Sequence, residues 1–331
     1  MITNAPILLN RYAEHLDGAL RSALRGDSLL HPVLRYHVGL EDEHGKPREG
    51  LGKLLRPSLL LHTCQHLGGS LDRATRAAVA LELVHNFSLI HDDIQDEDPT
   101  RRGFPTVWTR VGVAQAINAG DLLYAIAVHE ILACGAGATA VLNRATTAMI
   151  EGQAMDLSFE DRLVESGEYL AMIDRKTGAL IRCSFELGAV CADAPDDVRD
   201  RLVEFGIYVG RAFQIRDDVL GIWGDPAITG KPRGSDIRRR KKSFPIADAF
   251  SHATAEDRAT LTAAYATDPI DDARVKTVMD ILEKTDAKTH SEEQVHSNLQ
   301  QAEDILESLP LEPSAQHEMR ELVAFLARRN K

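Results

Sequence analysis

Two acidic runs, HDDIQDED at residues 91–98 and RDD at residues 216–218, each end a stretch that reads as an amphipathic helix. Leu83, Phe87 and Ile90 form the stripe before the first run, and Val203, Phe205, Ile207, Val209 and Phe213 supply apolar surface before the second. On a helix, Asp92 and Asp96 point the same way, about one turn (5.4 Å) apart. Carboxylates gathered on one helix face repel each other unless a cation lies among them. A helical chain with two such faces suggests a cage for hard divalent cations, and Mg2+ with a phosphorylated ligand is the usual occupant.

The rest of the chain agrees with helix. Aromatic residues make up only 5% while Ala and Leu abound, which suits helix packing better than a sandwich or barrel. Strand signals are nearly absent, and breaks fall at residues 41–52, 98–105, 135–137, 192–197 and 223–235. The break at 192–197 carries Pro195, Asp196 and Asp197, the chemistry of a helix start. Residues 265–331 read as polar amphipathic helices without an acidic motif, and no repeat or low-complexity linker separates the parts. With 331 residues and 44% apolar content, one all-α domain over residues 1–331, a helical bundle, is the simplest expectation.

A net charge of −12 argues against nonspecific nucleic-acid binding. It also means that any polyanionic ligand must be held by local basic groups and metal. Residues 1–11 contain Asn4 and Pro6 and lack a basic segment before an apolar one, so no secretory leader is expected. The longest apolar stretch, residues 122–142, is interrupted by His129 and Glu130 and reads as a buried helix rather than a membrane span. A cytoplasmic enzyme without a transmembrane segment is expected. Cys64, Cys134, Cys183 and Cys191 show no metal-ligand spacing and read as reduced, buried thiols.

Basic groups accompany both acidic runs. Arg101-Arg102-Gly103 follows the first, and GKPRGSD at 230–236 with the basic run 238–242 follows the second. Upstream, GKLLRP at 52–57 places Lys53 and Arg56 three apart, able to share one helix face. Metal carboxylates together with several Lys and Arg groups make a site for diphosphates, since metal neutralises one phosphate group and basic side chains hold another.

These segments, with HNFSLIHDDIQDEDPTRRG (85–103), INAGD (117–121), EGQAMDL (151–157), RKTG (175–178), FQIRDD (213–218) and GKPRGSDI (230–237), resemble the trans-isoprenyl diphosphate synthases of the polyprenyl synthetase family, in family order. That family includes farnesyl and geranylgeranyl diphosphate synthases. The resemblance implies that Asp92 and Asp96 ligate two Mg2+ ions and Asp217 a third, with Asp93 and Asp218 beside them. The ions would bind the diphosphate of an allylic substrate and draw off charge as its carbon–oxygen bond ionises. Arg101, Lys176 and Lys231 are implied as further cations around that leaving group. Lys53, Arg56, His85 and Arg102 resemble the metal-free pocket for isopentenyl diphosphate. Thr177, the Lys176 carbonyl and Gln214 are implied to stabilise the allylic cation. The departing diphosphate then takes the proton, so no dedicated side-chain base is expected. A homodimer is implied as well.

The chain departs from the family pattern in three places. The second motif ends in Gly221 where relatives carry a third Asp, Trp108 stands where many carry His, and the run 238–242 is more basic than usual, with Lys241 the best fit to the family's lysine. Product length is expected to follow from Phe87 and Ser88, five and four residues before Asp92. Phe87 lies about 7.5 Å along the helix axis from Asp92. One aromatic at the deeper position resembles the twenty-carbon enzymes, so geranylgeranyl diphosphate is the expected product, with farnesyl or longer products as alternatives. A class I terpene cyclase would carry an Asn/Ser/Glu metal triad, not visible near Asp217, and would have no use for Lys53, Arg56 and Arg102. A non-catalytic synthase subunit would tend to lose the first acidic motif, which is intact. His91 reads as structural, and the terminal Arg328, Arg329 and Lys331 as a frayed tail rather than a flap over substrate.

Overall fold

A computed structural model describes residues 7–48, 52, 54–229, 232–267 and 269–328. The helices run in chain order as α1 (Ile7–Arg11), α2 (Ala13–Ala23), α3 (His31–Val38), α4 (Leu55–His66), α5 (Leu71–Gln95), α6 (Val107–Val111), α7 (Val113–Leu132), α8 (Ala136–Ser158) and α9 (Ser166–Lys176). They continue as α10 (Gly178–Cys191), α11 (Asp196–Trp223), α12 (Pro226–Thr229), α13 (Ser235–Arg238), α14 (Phe244–His252), α15 (Ala255–Tyr265), α16 (Asp272–Lys284), α17 (Ala287–Ser308) and α18 (Pro313–Arg328). Among the described residues the one sheet is a hairpin of two-residue strands, β1 (Thr100–Arg101) and β2 (Phe104–Pro105). The all-α expectation therefore holds. The chain divides into two compact units: residues 1–146, 183–202 and 310–319 form unit 1, and residues 147–182, 203–309 and 320–331 form unit 2.

Unit 1 is organised on α5, which packs against α4 and α7. Ser70 caps it by accepting from the Asp72 amide, and Asp72 in the first turn suits the positive end of the helix dipole. From Ala77 to Val84 every position is buried, Glu82 included, so the middle turns of α5 are enclosed on all sides ahead of the acidic run. Each fully buried Leu or Val there contributes about 1.5–3 kcal/mol over exposure. The apolar stretch 122–142 is not one buried helix. Gly135, at φ +92°, separates α7 from α8, and Val113, Ile117 and Leu132 of α7 stay exposed. Only part of the α7 surface has α5 to cover it. No helix among the described residues is long and apolar enough to cross a membrane.

Unit 2 is organised on α14, which packs against α9, α16 and α17. Phe244 and Ala247 join Tyr169, Met172, Ile173 and Ile215 in one apolar cluster, while Ile246 and Ala249 join Ile222, Leu261, Val278 and Leu282 in another. A capping box between Glu165 and Glu168 starts α9. The four cysteines are free and buried, all within unit 1, and burial raises the Cys64 thiol to about 11.

Candidate active site

In unit 1 the last turn of α5 carries the first acidic run. The Asp96 amide donates to the Asp92 carbonyl at 2.8 Å, so the two residues stand one helical turn apart as expected, with Asp92 half-buried and Asp96 exposed. Asp93 turns the other way. It is 1% exposed, and its Oδ1 accepts from Arg101 Nε at 2.7 Å. Burial pushes the Asp93 carboxyl up, and the Arg101 guanidinium opposes that shift. Asp93 thus positions Arg101, while Asp92 and Asp96 present hard oxygen donors of the kind Mg2+ takes.

The Arg pair sits on the β hairpin. Arg102 and Gly103 are its two loop residues, at φ +53° and +80°, the pattern of a type I′ turn. Pairing of Arg101 with Phe104 fixes the register and directs successive side chains apart. A Cβ on Gly52 would lie 2.8 Å from Arg102 Nη1, so the absence of a side chain lets Gly52 itself lie against that guanidinium. Arg56, in the first turn of α4, donates through Nη1 to His85 Nε2 at 3.1 Å. Burial first, then the Arg56 and Arg102 charges, hold His85 far below its ordinary pKa. The structure therefore brings Arg56, His85, Arg101 and Arg102 into one region of unit 1. Lys53 and Lys231 lie outside the described residues.

A cavity of about 240 Å³ adjoins this region, lined by His37, Arg48, Asn86, Asp93, Arg101 and Arg102 among others. His37 and Arg48 were not among the residues singled out from the sequence. Arg48 stacks over the Phe104 ring at 4.0 Å, and Arg102 makes no ion pair among the described residues. His37 Nε2 donates to the Asn86 carbonyl at 3.0 Å, and burial with the Arg101 charge lowers its pKa to about 3. The imidazoles stay neutral, so the positive charge here belongs to guanidinium groups suited to bidentate phosphate contact.

Phe87 is buried, its ring 5.6 Å from that of His91 and 5.4 Å from that of Tyr124 on α7. Ser88 donates to the His85 carbonyl at 2.8 Å. His91 packs over Gly120, where a Cβ would lie 2.3 Å from its Nε2. Trp108 donates from its indole to the Asp98 carbonyl at 2.8 Å, tying down the loop after the acidic run.

Unit 2 carries the second acidic run on the C-terminal half of α11. Asp217 is half-buried, and Asp218 is 0% exposed and surrounded by four donors. Its Oδ2 accepts from the Tyr169 hydroxyl and, at 3.0 Å, from the Phe244 amide; its Oδ1 accepts from Gln214 Nε2 at 3.1 Å and Lys241 Nζ at 3.2 Å. Phe244 is the first residue of α14, so Asp218 supplies the cap that the Ser243 side chain does not. Gln214 in turn accepts from Thr177 Oγ1 at 2.8 Å, at the break between α9 and α10. Lys176 pairs with Asp156 at 2.5 Å, a partner from the EGQAMDL segment that the sequence reading left without a role. A Cβ on Gly152 would fall 2.2 Å from the Lys176 amide, so Gly152 lets α8 approach this break.

The position that became Gly221 is also filled. A Cβ built there would lie 2.1 Å from Asp236 Oδ2. Two hydrogen bonds hold Asp236 over α11: the Gly234 amide to the Ile222 carbonyl at 2.9 Å, and Ser235 Oγ to the Gly221 carbonyl at 3.1 Å. Asp236 shares Lys241 with Asp218, its Oδ2 lying 3.4 Å from the ammonium. Burial works against charge on Lys241, yet Asp218 and Asp236 together raise its pKa, although 46% of its side chain remains exposed. The rest of the basic run disperses. Arg238 pairs with Asp272, Arg240 donates to the Tyr265 carbonyl and Lys242 to the Glu160 carbonyl.

Unit 1 thus carries a paired-carboxylate helix end beside a cavity lined by guanidinium groups, and unit 2 an Asp218–Lys241–Asp236 cluster. The chain belongs to the polyprenyl synthetase family, whose profile matches residues 48–282. It is 44% identical over 234 residues to the (2E,6E)-farnesyl diphosphate synthase of Mycobacterium tuberculosis, a match covering 69% of this chain and 65% of that protein, just under two thirds of the relative's length. The crystal structure of a polyprenyl synthetase from Streptomyces coelicolor A3(2) superposes with a TM-score of 0.87 at 34% identity, covering 96% of this chain and 99% of the other. That of a geranylgeranyl pyrophosphate synthase from Corynebacterium glutamicum, complexed with isoprenyl diphosphate and magnesium, does so at 0.82 and 26% identity, covering 97% and 99%.

The neighbouring carboxylates of α11 should behave oppositely. Asp218→Ala strands the Tyr169 hydroxyl and the Phe244 amide and is expected to cost about 3 kcal/mol in urea unfolding. Asp217→Ala should change stability by no more than about 0.5 kcal/mol. Equal destabilisation by both would refute the capping role.

The lowered pKa of the partly buried His37 imidazole predicts an acid-side instability. His37 has its pKa lowered from 6.5 to about 3 on folding, so within that window the unfolded chain binds a proton the native chain does not. The stability is fully present above pH 6.5 and is lost as pH falls through the window. Each such group steepens the loss by about 1.4 kcal/mol per pH unit. His37→Gln keeps a donor for the Asn86 carbonyl and should remove about one proton's worth of slope from denaturation midpoints measured across this range.

Proposed function

We propose that the protein is a Mg2+-dependent trans-prenyltransferase that condenses isopentenyl diphosphate with an allylic diphosphate. The observation that carries this is the guanidinium region of Arg56, Arg101 and Arg102 in unit 1, within one short hairpin of Asp92 and Asp96. A cyclase, which binds a single diphosphate, has no need of it. Family membership and the magnesium and isoprenyl diphosphate bound by the Corynebacterium relative support the reading.

Asp92, Asp96 and Asp217 are the proposed ligands of three Mg2+ ions. The donor set fits, being hard carboxylate oxygens at helix ends. Bound Mg2+ supplies charge withdrawal from the allylic diphosphate as its carbon–oxygen bond breaks. Asp236 stands where the second motif lacks its third carboxylate and keeps the negative charge that the Gly221 position would otherwise forfeit. Arg101, held by Asp93, and Lys176, held by Asp156, bind the leaving group, with Lys231 assigned beside them from the motif. Arg56, His85 and Arg102, with Lys53, hold isopentenyl diphosphate without metal. Neutral His85 takes the Arg56 proton as a hydrogen bond and directs the remaining N–H groups of that guanidinium to phosphate. Gln214 and Thr177, oriented through Asp218, present dipoles to the developing carbocation. The diphosphate released at that step accepts the proton lost on forming the new double bond.

Geranylgeranyl diphosphate is the proposed product, because Phe87 and Tyr124 together close one side of α5 while Ser88 leaves the adjoining position small. A homodimer is proposed through α7, whose exposed Val113, Ile117 and Leu132 form an apolar surface.

Purified protein given Mg2+, labelled isopentenyl diphosphate and each short allylic primer should release twenty-carbon diphosphate. Hydrocarbon formed from an allylic diphosphate alone would sink the assignment. Asp92→Ala should lower kcat/KM by at least about 100-fold. Gly221→Ala should displace Asp236 and raise the Mg2+ concentration for half-maximal rate by about tenfold. Phe87→Ala should lengthen the product, and an unchanged distribution would remove Phe87 from the chain-length role.

A further inference from the structure

Away from the diphosphate-binding residues, unit 1 gathers a second set of metal-ligating groups. His62 and His66 stand four residues apart at the end of α4, on one face, with ring centroids 4.4 Å apart. Glu318 on α18 joins them, its Oε2 3.2 Å from His62 Nε2. One ligand atom from each of the three lies within 4.8 Å of the other two.

Two features mark the cluster as more than an ion pair. His62 is fully buried with its Nε2 facing Glu318, and His66 Nε2 is enclosed without a hydrogen-bond partner. Buried polar atoms are rarely left so, and an unmet ligand is one reason for them. Burial also lowers the His62 pKa to about 4 and moves His66 down, leaving both rings in the neutral form that metal coordination requires. Glu318 accepts from Arg11 Nη1 at 2.8 Å and Nη2 at 2.5 Å. A carboxylate has about four acceptor positions, so this fork leaves room for a cation and fixes the plane of the ligand.

We propose that His62, His66 and Glu318 bind a borderline divalent ion of the Zn2+ class, with Arg11 as the positioning residue for Glu318. Two imidazoles and one carboxylate favour Zn2+ over Mg2+, and an i, i+4 histidine pair on one helix face is a recurrent way to present the nitrogens. Binding would draw the three atoms, which lie within 4.8 Å of one another, to Zn–ligand lengths of about 2.0–2.2 Å, with water completing a tetrahedron. The ion ties α18 to α4, the helix that carries Arg56 in its first turn.

The test uses the full-length protein stripped with chelator, desalted, and titrated with Zn2+ alone, in the absence of Mg2+ and diphosphate. One equivalent should bind and survive gel filtration, the thermal midpoint should rise, and millimolar Mg2+ should not compete. His66→Ala and the shape-preserving Glu318→Gln should each abolish the stoichiometric binding, and Arg11→Gln should weaken it by about tenfold. Because Cys64 lies on the same helix, Cys64→Ser must retain the site, and Co2+ in place of Zn2+ must show a tetrahedral visible spectrum without a thiolate charge-transfer band. Absence of stoichiometric binding overturns the proposal. So does binding that persists in both His66→Ala and Glu318→Gln, or that is lost in Cys64→Ser.

Discussion

A single desolvated carboxylate organises unit 2. Asp218 is 0% exposed, and burying its polar oxygens is costly unless they are hydrogen-bonded; four donors from α9, α11, the start of α14 and the segment before it meet them. That requirement fixes the end of α14 against α11 and aligns Gln214 toward Thr177. It also puts Lys241 where Asp236 can share it. The chemistry-bearing residues therefore stand on a network whose members are each partnered. This is the condition under which buried polar groups rigidify a site rather than weaken it.

Unit 1 solves the complementary problem of holding several guanidinium groups together before any anion arrives. Asp93 neutralises Arg101, and Glu82 lies beneath, its own pKa raised by burial while the Arg56 charge opposes the shift. His37 and His85 are kept neutral, so they add hydrogen-bonding capacity without adding charge. The remaining positive charge sits on planar forks that match phosphate oxygens geometrically. The net charge of −12 over the chain does not set the local field, which within a few ångströms is governed by these neighbours.

Helical class, the Asp92–Asp96 alignment and the Arg56–His85–Arg102 grouping were legible in the sequence, because local spacing and motif order carry them. Three features were not. The outward or inward direction of adjacent acids depends on what packs behind the helix, so the burial of Asp93 and Asp218 next to half-buried Asp92 and Asp217 is not written in the runs themselves. His37 and Arg48 come from a segment without motif spacing and meet the Arg pair only through tertiary folding. The basic run 238–242 reads as one patch, yet its side chains leave in different directions toward Asp272, Asp218, the Tyr265 carbonyl and the Glu160 carbonyl.

The exchange at Gly221 shows how a broken motif can leave the charge pattern intact. With a side chain at that position, the Asp236 carboxylate would have to move away from α11, since even a methyl carbon would lie 2.1 Å from its Oδ2. Glycine removes the steric bar, and the Gly234 and Ser235 hydrogen bonds to α11 then set the position of the incoming acid. The carboxylate comes from the short helix α13 rather than from α11, fifteen residues later in the chain. Lys241 lies against both Asp218 and Asp236, so the cluster carries a formal charge of −1 before Asp217 is counted. Asp217 adds a second negative charge at the half-buried surface of α11, and the excess of carboxylate over ammonium is what a divalent cation is suited to balance.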